Sequence, residues 1–249
     1  MDSKLEARRR ASIYAVDLIE GCTSCSIAMG SGSTVKLFIE ELSRRGIINM
    51  YRYISTSLDT SIVLRKAGAK NIETAICPED IDIYVDSADE IDTRLNLLKG
   101  GGAALFREKI AMLSSRRRII IADETKLVEM LGSTKPVPLE VEVYSLYYVM
   151  RELRKLGYEA SYRESQSKLG PVITDNGNIV VDVKTGPLRN PEEVDRILRS
   201  IEGVVSTGIF PYNGYEVVVG MLGGSVKVFK PRGGIEVVSI GNQGVDHYP

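Results

Sequence analysis

The decisive stretch reads Ile81-Asp-Ile-Tyr-Val85, followed by Asp86-Ser-Ala-Asp-Glu-Ile-Asp-Thr-Arg-Leu-Asn-Leu-Leu-Lys-Gly-Gly-Gly-Ala-Ala-Leu-Phe-Arg-Glu-Lys109. The first five residues are a short β-branched and aromatic run, which predicts a buried strand. Four acidic side chains, Asp86, Asp89, Glu90 and Asp92, follow within seven residues, and Asp82 lies inside the strand. Lys99 then stands against Gly100, Gly101 and Gly102. The apolar run from Ala103 predicts a helix that carries Glu108 about one and a half turns in.

Three consecutive glycines cost backbone entropy and need a reason. They permit positive φ and close backbone approach to a ligand, and they lead into a helix N-terminus, where unpaired N–H groups favour an anion. Each part has an ordinary reading by itself: a tight turn for the glycines, capping for Asp86 and Asp89, a solvated carboxylate for Glu108. Together they read as an acid–base site.

Upstream, residues 4–20 predict an amphipathic helix ended by Gly21, and Cys25–Met29 a short strand. Gly30-Ser-Gly-Ser-Thr34 follows, then a helix to about Arg45. Strand, Gly-Ser loop and helix form a phosphate-cradle layout. The loop lacks both the G-K-[ST] of a Walker motif and a full G-x-G-x-x-G. Hydroxyls at Ser31, Ser33 and Thr34 suit a monophosphate. Met50–Ile54 predicts a second strand, Ser55–Ser57 another hydroxyl-rich loop, Leu58–Ala67 a helix closed by Gly68, and Arg118–Ala122 a strand running toward Lys126. Alternating strands and helices predict a doubly wound, mostly parallel Rossmann-like sheet, whose ligands bind beyond the carboxyl ends of the strands. Every polar cluster named so far falls at that end.

Pro136-Val-Pro138 marks a boundary. Beyond it the pattern is strand Leu139–Val143, helix Ser145–Leu156, strands Tyr158–Arg163 and Val172–Thr174, an Asp175-Asn-Gly-Asn178 turn, strand Ile179–Val183, helix Pro191–Ile201 and strand Val204–Phe210. The order predicts an inserted ferredoxin-like α+β domain. Residues 1–138 and 209–249 are then the catalytic domain, and 139–208 a small domain serving oligomerisation and covering the site. Tyr215–Met221 and Ser225–Phe229 predict a hairpin returning to the first domain. A possible strand, Ile235–Ile240, lies in a tail the pattern does not place.

The chain has 249 residues and a net charge of −1, which gives no bulk electrostatic case for nucleic acid or an anionic membrane. No apolar run is long enough to span a bilayer, and the N-terminus has no apolar core of a signal peptide, so a cytoplasmic protein is expected. Cys22 and Cys25 form a C-x-x-C, a spacing shared by redox pairs and half zinc sites, without a second pair to complete a zinc site; small buried residues leading into a strand is the simpler reading. The one histidine, His247, is two residues from the C-terminus. Proton transfer is therefore expected from carboxylates, lysine or tyrosine.

The chain resembles the ribose-5-phosphate isomerase family of the A type over about residues 5–230. The resemblance rests on Asp86–Glu90, on Leu95–Ala104 with Arg107-Glu-Lys109, and on Ile121–Asp123 with Lys126. Pro138–Val141, Val172–Asn178 and Gly30–Thr34 support it, in order and spacing. It implies interconversion of ribose 5-phosphate and ribulose 5-phosphate in the non-oxidative pentose phosphate branch, without metal or organic cofactor, by a homodimer or homotetramer. It implies that Glu108 is the base and that Asp86, Asp89 and Lys99 line the sugar site. Ser31, Gly32, Ser33, Thr34, Ser87, Ala88, Gly100, Gly101, Gly102 and Lys126 would bind substrate.

Two departures follow from the resemblance. The family usually has Gly at the position of Ser87; if positive φ is needed there, Ser87 strains the turn by about 1–2 kcal/mol. A basic residue near the N-terminus commonly reaches the phosphate, and Arg9 or Arg10 is expected to serve. Chemically, one carboxylate can carry the proton both ways, Asp86 (or second, Asp89) can assist ring opening, and Lys99 with glycine N–H groups can stabilise an oxyanion. Amino-sugar phosphate deaminases and phosphogluconolactonases, which generally use a histidine, fit less well. A phosphosugar-sensing regulator would need a DNA-reading module, for which about 20 residues before the first strand are too few.

Overall fold

The computed structural model describes residues 2–165, 169–231 and 233–239. Its elements begin with α1 (Ser3–Asp17), β1 (Ser26–Met29), α2 (Ser33–Arg44), β2 (Arg52–Ser55), α3 (Leu58–Lys66), β3 (Ile72–Glu73) and β4 (Ile81–Ser87). There follow β5 (Glu90–Ile91), β6 (Leu97–Leu98), α4 (Leu105–Leu113), β7 (Ser115–Asp123), β8 (Val137–Val141), α5 (Leu146–Lys155), β9 (Glu159–Tyr162) and β10 (Ile179–Lys184). The last are α6 (Pro191–Arg199), β11 (Val204–Thr207), β12 (Ile209–Phe210), β13 (Glu216–Gly220), β14 (Ser225–Lys230) and β15 (Gly234–Ser239).

The main sheet has eight strands in the order β15-β14-β13-β7-β4-β1-β2-β3. From β13 to β3 neighbouring strands run parallel, while β14 and β15 add an antiparallel edge. The chain winds outward from β1 through β2 and β3, then returns to place β4 on the other side of β1. The crevice between β1 and β4 is the topological switch point, where such sheets bind ligands.

Strand periodicity distributes the core. Ile27, Met29, Ile83, Val85, Ile119 and Ile121 pack under α1 and α2, while Ala28, Tyr84, Ile120, Val217 and Val219 pack under α4. Each fully buried isoleucine contributes about 1.5–3 kcal/mol. The same alternation puts Asp86, two residues beyond Tyr84, on the face that meets α4.

A second sheet, ordered β11-β8-β10-β9, is antiparallel throughout and has the predicted ferredoxin-like order. Its apolar face, with Leu139, Val141, Val181 and Val183, is covered by Val149 and Leu153 of α5 and Leu198 of α6. A three-stranded ribbon, β12-β6-β5, joins the segment after Asp86 to the chain leaving the second sheet.

Several expectations are corrected. Val204–Phe210 is two strands, because Gly208 breaks it: its carbonyl accepts from Lys99 N at 2.9 Å and its N–H donates to Pro138 O at 2.7 Å. A Cβ there would sit 2.3 Å from Lys99 O, so the strand passes close to Lys99 and changes sheet. Val172–Thr174 makes only isolated bridges. The two-residue strands β3, β5 and β6 were too short for periodicity to reveal. The tail strand is the edge strand β15, paired with β14; Ile240 and His247 lie outside the described residues. Cys22 and Cys25 are joined as a disulfide, since the turn after α1 brings their Cα atoms to 5.8 Å, within bridging range.

Candidate active site

Two strand ends build the site. After β1, Gly30 donates to Val85 O at 2.9 Å, so the loop lies directly on β4. A Cβ at Gly30 would fall 1.8 Å from the Asp86 Cγ; only glycine lets the loop pass over that carboxylate. The hydroxyl-rich loop after β2 faces inward: Thr56 Oγ1 donates to Met29 O at 2.9 Å and Thr60 Oγ1 to Gly30 O at 2.7 Å. It braces the first loop and does not line the cavity above Asp86.

Asp86 is fully buried with every oxygen engaged. Oδ1 accepts from the N–H groups of Ser87 and Ser31, at 2.7 and 3.2 Å. Oδ2 accepts from Lys99 Nζ at 2.6 Å and from the hydroxyl of Tyr84. Lys99 also donates to Ser87 O at 2.7 Å and lies 3.2 Å from Glu108 Oε2. Glu108 Oε1 accepts from Ser31 Oγ at 2.6 Å. One ammonium thus sits between two buried carboxylates, on the ligand side of the sheet.

Burial pushes Asp86 up to about 7, the charge of Glu108 adds to the rise, and Lys99 and Tyr84 oppose it. Burial also opposes the charge on Lys99, but Asp86 and Glu108 outweigh it and raise its pKa. The two shifts share one cause: in a dry cluster the cation is indispensable and the second negative charge is expensive.

A cavity of about 330 Å³ opens over this cluster. Ser31, Lys99 and Glu108 meet it at one end, and Gly100, Gly101 and Gly102 form a wall. Ser87, Ala88 and Asp89 line another side, with Asp89 Oδ2 accepting from Gly101 N at 2.8 Å. Gly32, Ser33 and Thr34 open the N-terminus of α2 into it, and Lys126 and Arg8 add positive charge. Gly32 caps α2 with φ 97°, and no side chain occupies the cap, so the first N–H groups are left for a ligand.

Of the residues read from the sequence, thirteen line this cavity; Asp86 alone lies beneath it, sealed off. Ser87 is not among the residues with positive φ, being the last residue of β4, so the suspected strain is absent. Ala103 takes the left-handed conformation, at φ 59°. The N-terminal arginine that lines the cavity is Arg8, whose Nη1 donates to Ser33 Oγ at 2.7 Å. Arg9 is exposed, and Arg10 donates to Met221 O at 2.9 Å. The contact that turns Arg8 toward the cavity is a tertiary one, one helical turn on, where the hydroxyl of buried Ser12 donates to Thr34 O at 3.4 Å. Two of the acidic residues are structural. Glu90 gathers the N–H groups of Gly132, Thr134 and Lys135, and Asp92 those of Arg94 and Asn96.

Such a pocket, at the switch point of a parallel sheet with carboxylates at one end and cations at the other, defines an α/β enzyme doing acid–base chemistry on a small phosphorylated molecule. The family model for ribose 5-phosphate isomerase A (phosphoriboisomerase A) matches residues 52–224. A ribose-5-phosphate isomerase A of Methanosarcina acetivorans is 38% identical over 89% of this chain and 93% of its own, and that of Methanothermobacter thermautotrophicus is 40% identical over 84% and 92%. The solved isomerase A from Methanocaldococcus jannaschii superposes with a TM-score of 0.82 at 35% identity, covering 90% of this chain and 98% of its own. A D-ribose-5-phosphate isomerase in complex with phospho-erythronic acid superposes at 0.83 with 33% identity, covering 96% and 100%. The chain belongs to the ribose 5-phosphate isomerase A family.

Proposed function

We infer that the protein interconverts D-ribose 5-phosphate and D-ribulose 5-phosphate through an enediolate. The observation that carries this reading is the position of Glu108, fixed by Ser31 and Lys99 at the floor of a cavity whose far end is cationic. A phosphate held at α2, Arg8 and Lys126 would lay the sugar's carbonyl end toward Glu108. There the carboxylate takes a proton from one carbon and returns it to the next. Lys99 and the glycine N–H groups face the oxygens on which negative charge develops. For ring opening the geometry favours Asp89 over Asp86, because Asp89 lines the cavity and Asp86 has no free oxygen and no exposure. Asp86 instead anchors Lys99.

The proposal extends to organisation. Residues 1–138 with 209–249 act as the catalytic domain, and 139–208 as a smaller domain that covers the site and makes contacts in a homodimer or homotetramer. Exposed Tyr144, just before α5, and Tyr147, in its first turn, support an assembly role. The working compartment is the cytoplasm.

The decisive experiment is turnover of ribose 5-phosphate in deuterated water, beside Glu108→Gln. Ribulose 5-phosphate should form and carry deuterium at the exchanged carbon. Both product and label should fall at least about a hundredfold in the variant. Full activity in Glu108→Gln would remove Glu108 as the base.

A further inference from the structure

One charged side chain of the segment after β9 reaches from the second sheet to the glycine loop. Arg163, directly after β9, binds Asp182 of β10 with two parallel hydrogen bonds, Nε to Oδ2 at 2.8 Å and Nη2 to Oδ1 at 2.6 Å. Its remaining amino group, Nη1, donates to Gly100 O at 2.9 Å and to Gly101 O at 3.2 Å. Its backbone is pinned on both sides, the N–H to Val180 O at 2.7 Å and the carbonyl to Val172 N at 2.8 Å. Arg163 does not line the cavity, so it grips the glycine loop from behind.

Peptide geometry makes this grip directional. In a trans peptide the C=O and the following N–H point opposite ways in one plane. The unit joining Gly100 to Gly101 is strung between two side chains: its oxygen accepts from Arg163, and its N–H donates to Asp89 Oδ2 at 2.8 Å. The unit joining Gly101 to Gly102 has its oxygen on Arg163 too, which turns the Gly102 N–H away from the guanidinium, toward the cavity side. That N–H makes no hydrogen bond among the described residues. Glycines supply no side chain that could fix these planes, so the orientation is imposed from outside. A cation on a carbonyl also polarises its peptide and strengthens the opposite donor.

We propose that Arg163, oriented by Asp182, is a positioning residue for the isomerase reaction: it sets the direction of the Gly101 and Gly102 N–H groups, and through Gly101 the orientation of Asp89. The proposal rests on the functional reading above. It makes the smaller sheet part of the catalytic apparatus, although none of its side chains lines the cavity itself.

The test compares wild type, Arg163→Ala and Asp182→Asn for turnover of ribose 5-phosphate, with melting temperature recorded for each. Donors aimed at developing charge act mainly in the transition state, so kcat of Arg163→Ala should fall at least about tenfold while KM changes less than about threefold. Millimolar guanidinium should restore kcat several-fold, because it can occupy the vacated position, and ethylammonium should not. Asp182→Asn, which keeps the shape and loses the charge, should lower kcat about three- to fivefold. Wild-type kcat in a folded Arg163→Ala overturns the proposal. So does a loss that follows melting temperature alone, with no guanidinium rescue. If Arg163→Ala does not fold, Asp182→Asn decides, and an unchanged kcat there overturns it. Absence of wild-type turnover would overturn the functional reading and this proposal with it.

Discussion

The two ends of the cavity are built on opposite principles. At the floor, Asp86, Lys99 and Glu108 are nearly inaccessible, with side-chain exposures of 0, 3 and 3%, and are cross-linked to one another and to Tyr84 and Ser31. At the far end, Arg8 has 22% of its side chain exposed and works beside bare N–H groups of α2 and Lys126. The floor must hold groups whose protonation states matter, and burial makes each charge depend on its neighbours. In the proposed function the far end has only to recognise a fixed dianion, which partly solvated cations and a helix N-terminus do well. On the proposed reading, the difference separates where proton chemistry is tuned from where substrate is caught.

Removing the shared cation should break that contrast most severely. Lys99→Met leaves Asp86 and Glu108 facing each other in a dry site. Unpairing a buried ion cluster typically costs about 3–5 kcal/mol, so melting temperature should drop sharply. Turnover should fall by about 10²–10³, as for loss of a main oxyanion donor. Thermal melts and steady-state kinetics check both. A stable, active Lys99→Met would show that the floor does not need its cation.

The far end should behave differently. Arg8→Ala should raise KM for ribose 5-phosphate about tenfold and leave kcat within about twofold, because the phosphate contact is present before and during reaction. Slow turnover of unphosphorylated ribose should be unchanged. A fall in kcat equal to the rise in KM would mean that Arg8 contributes to the chemistry, and the division between the two ends would fail.

The same contrast explains what could be read in the sequence. The parallel sheet, the ferredoxin-like insertion and the convergence of Gly30–Thr34 with Asp86–Glu108 were legible, because strand period, turn residues and motif order are local signals. The ranking among acidic residues was not. Asp86, Asp89, Glu90 and Asp92 look alike in a row, yet one anchors, one faces the cavity and two tie down loops. What separates them is which backbone N–H groups arrive from distant segments, such as Gly132 and Lys135 on Glu90. Arg8 was hidden by one helical step, since choosing among three adjacent arginines needs the rotation of α1 against α2. Arg163 carried no local signal at all; its meaning lies in a carbonyl pair 62 and 63 residues away.

The smallest expected effect tests the tuning itself. Tyr84 is completely buried, does not line the cavity, and gives its hydroxyl to Asp86. Groups facing Asp86 are Tyr84, Lys99 and Glu108, besides the N–H groups of Ser31 and Ser87. Tyr84→Phe removes one donor to the ionised carboxylate, so Asp86 should protonate at still higher pH than about 7. If ionised Asp86 is what anchors Lys99, the acid limb of kcat moves up by about 0.5–1 pH unit, since a hydrogen bond to a charged group is worth about 1.5–3 kcal/mol and is partly replaced. The deficit should then be several-fold near pH 6 and vanish at high pH, with KM unchanged. Stability follows the same sign. A carboxyl raised in the folded state from 3.8 contributes stability that is complete below that value and lost as pH rises through about 7. Raising it further makes Tyr84→Phe lose more at pH 8 than at pH 5, so its melting-temperature deficit should widen with pH. An unmoved acid limb with a pH-independent deficit would reduce Tyr84 to a packing residue and detach the titration of Asp86 from catalysis.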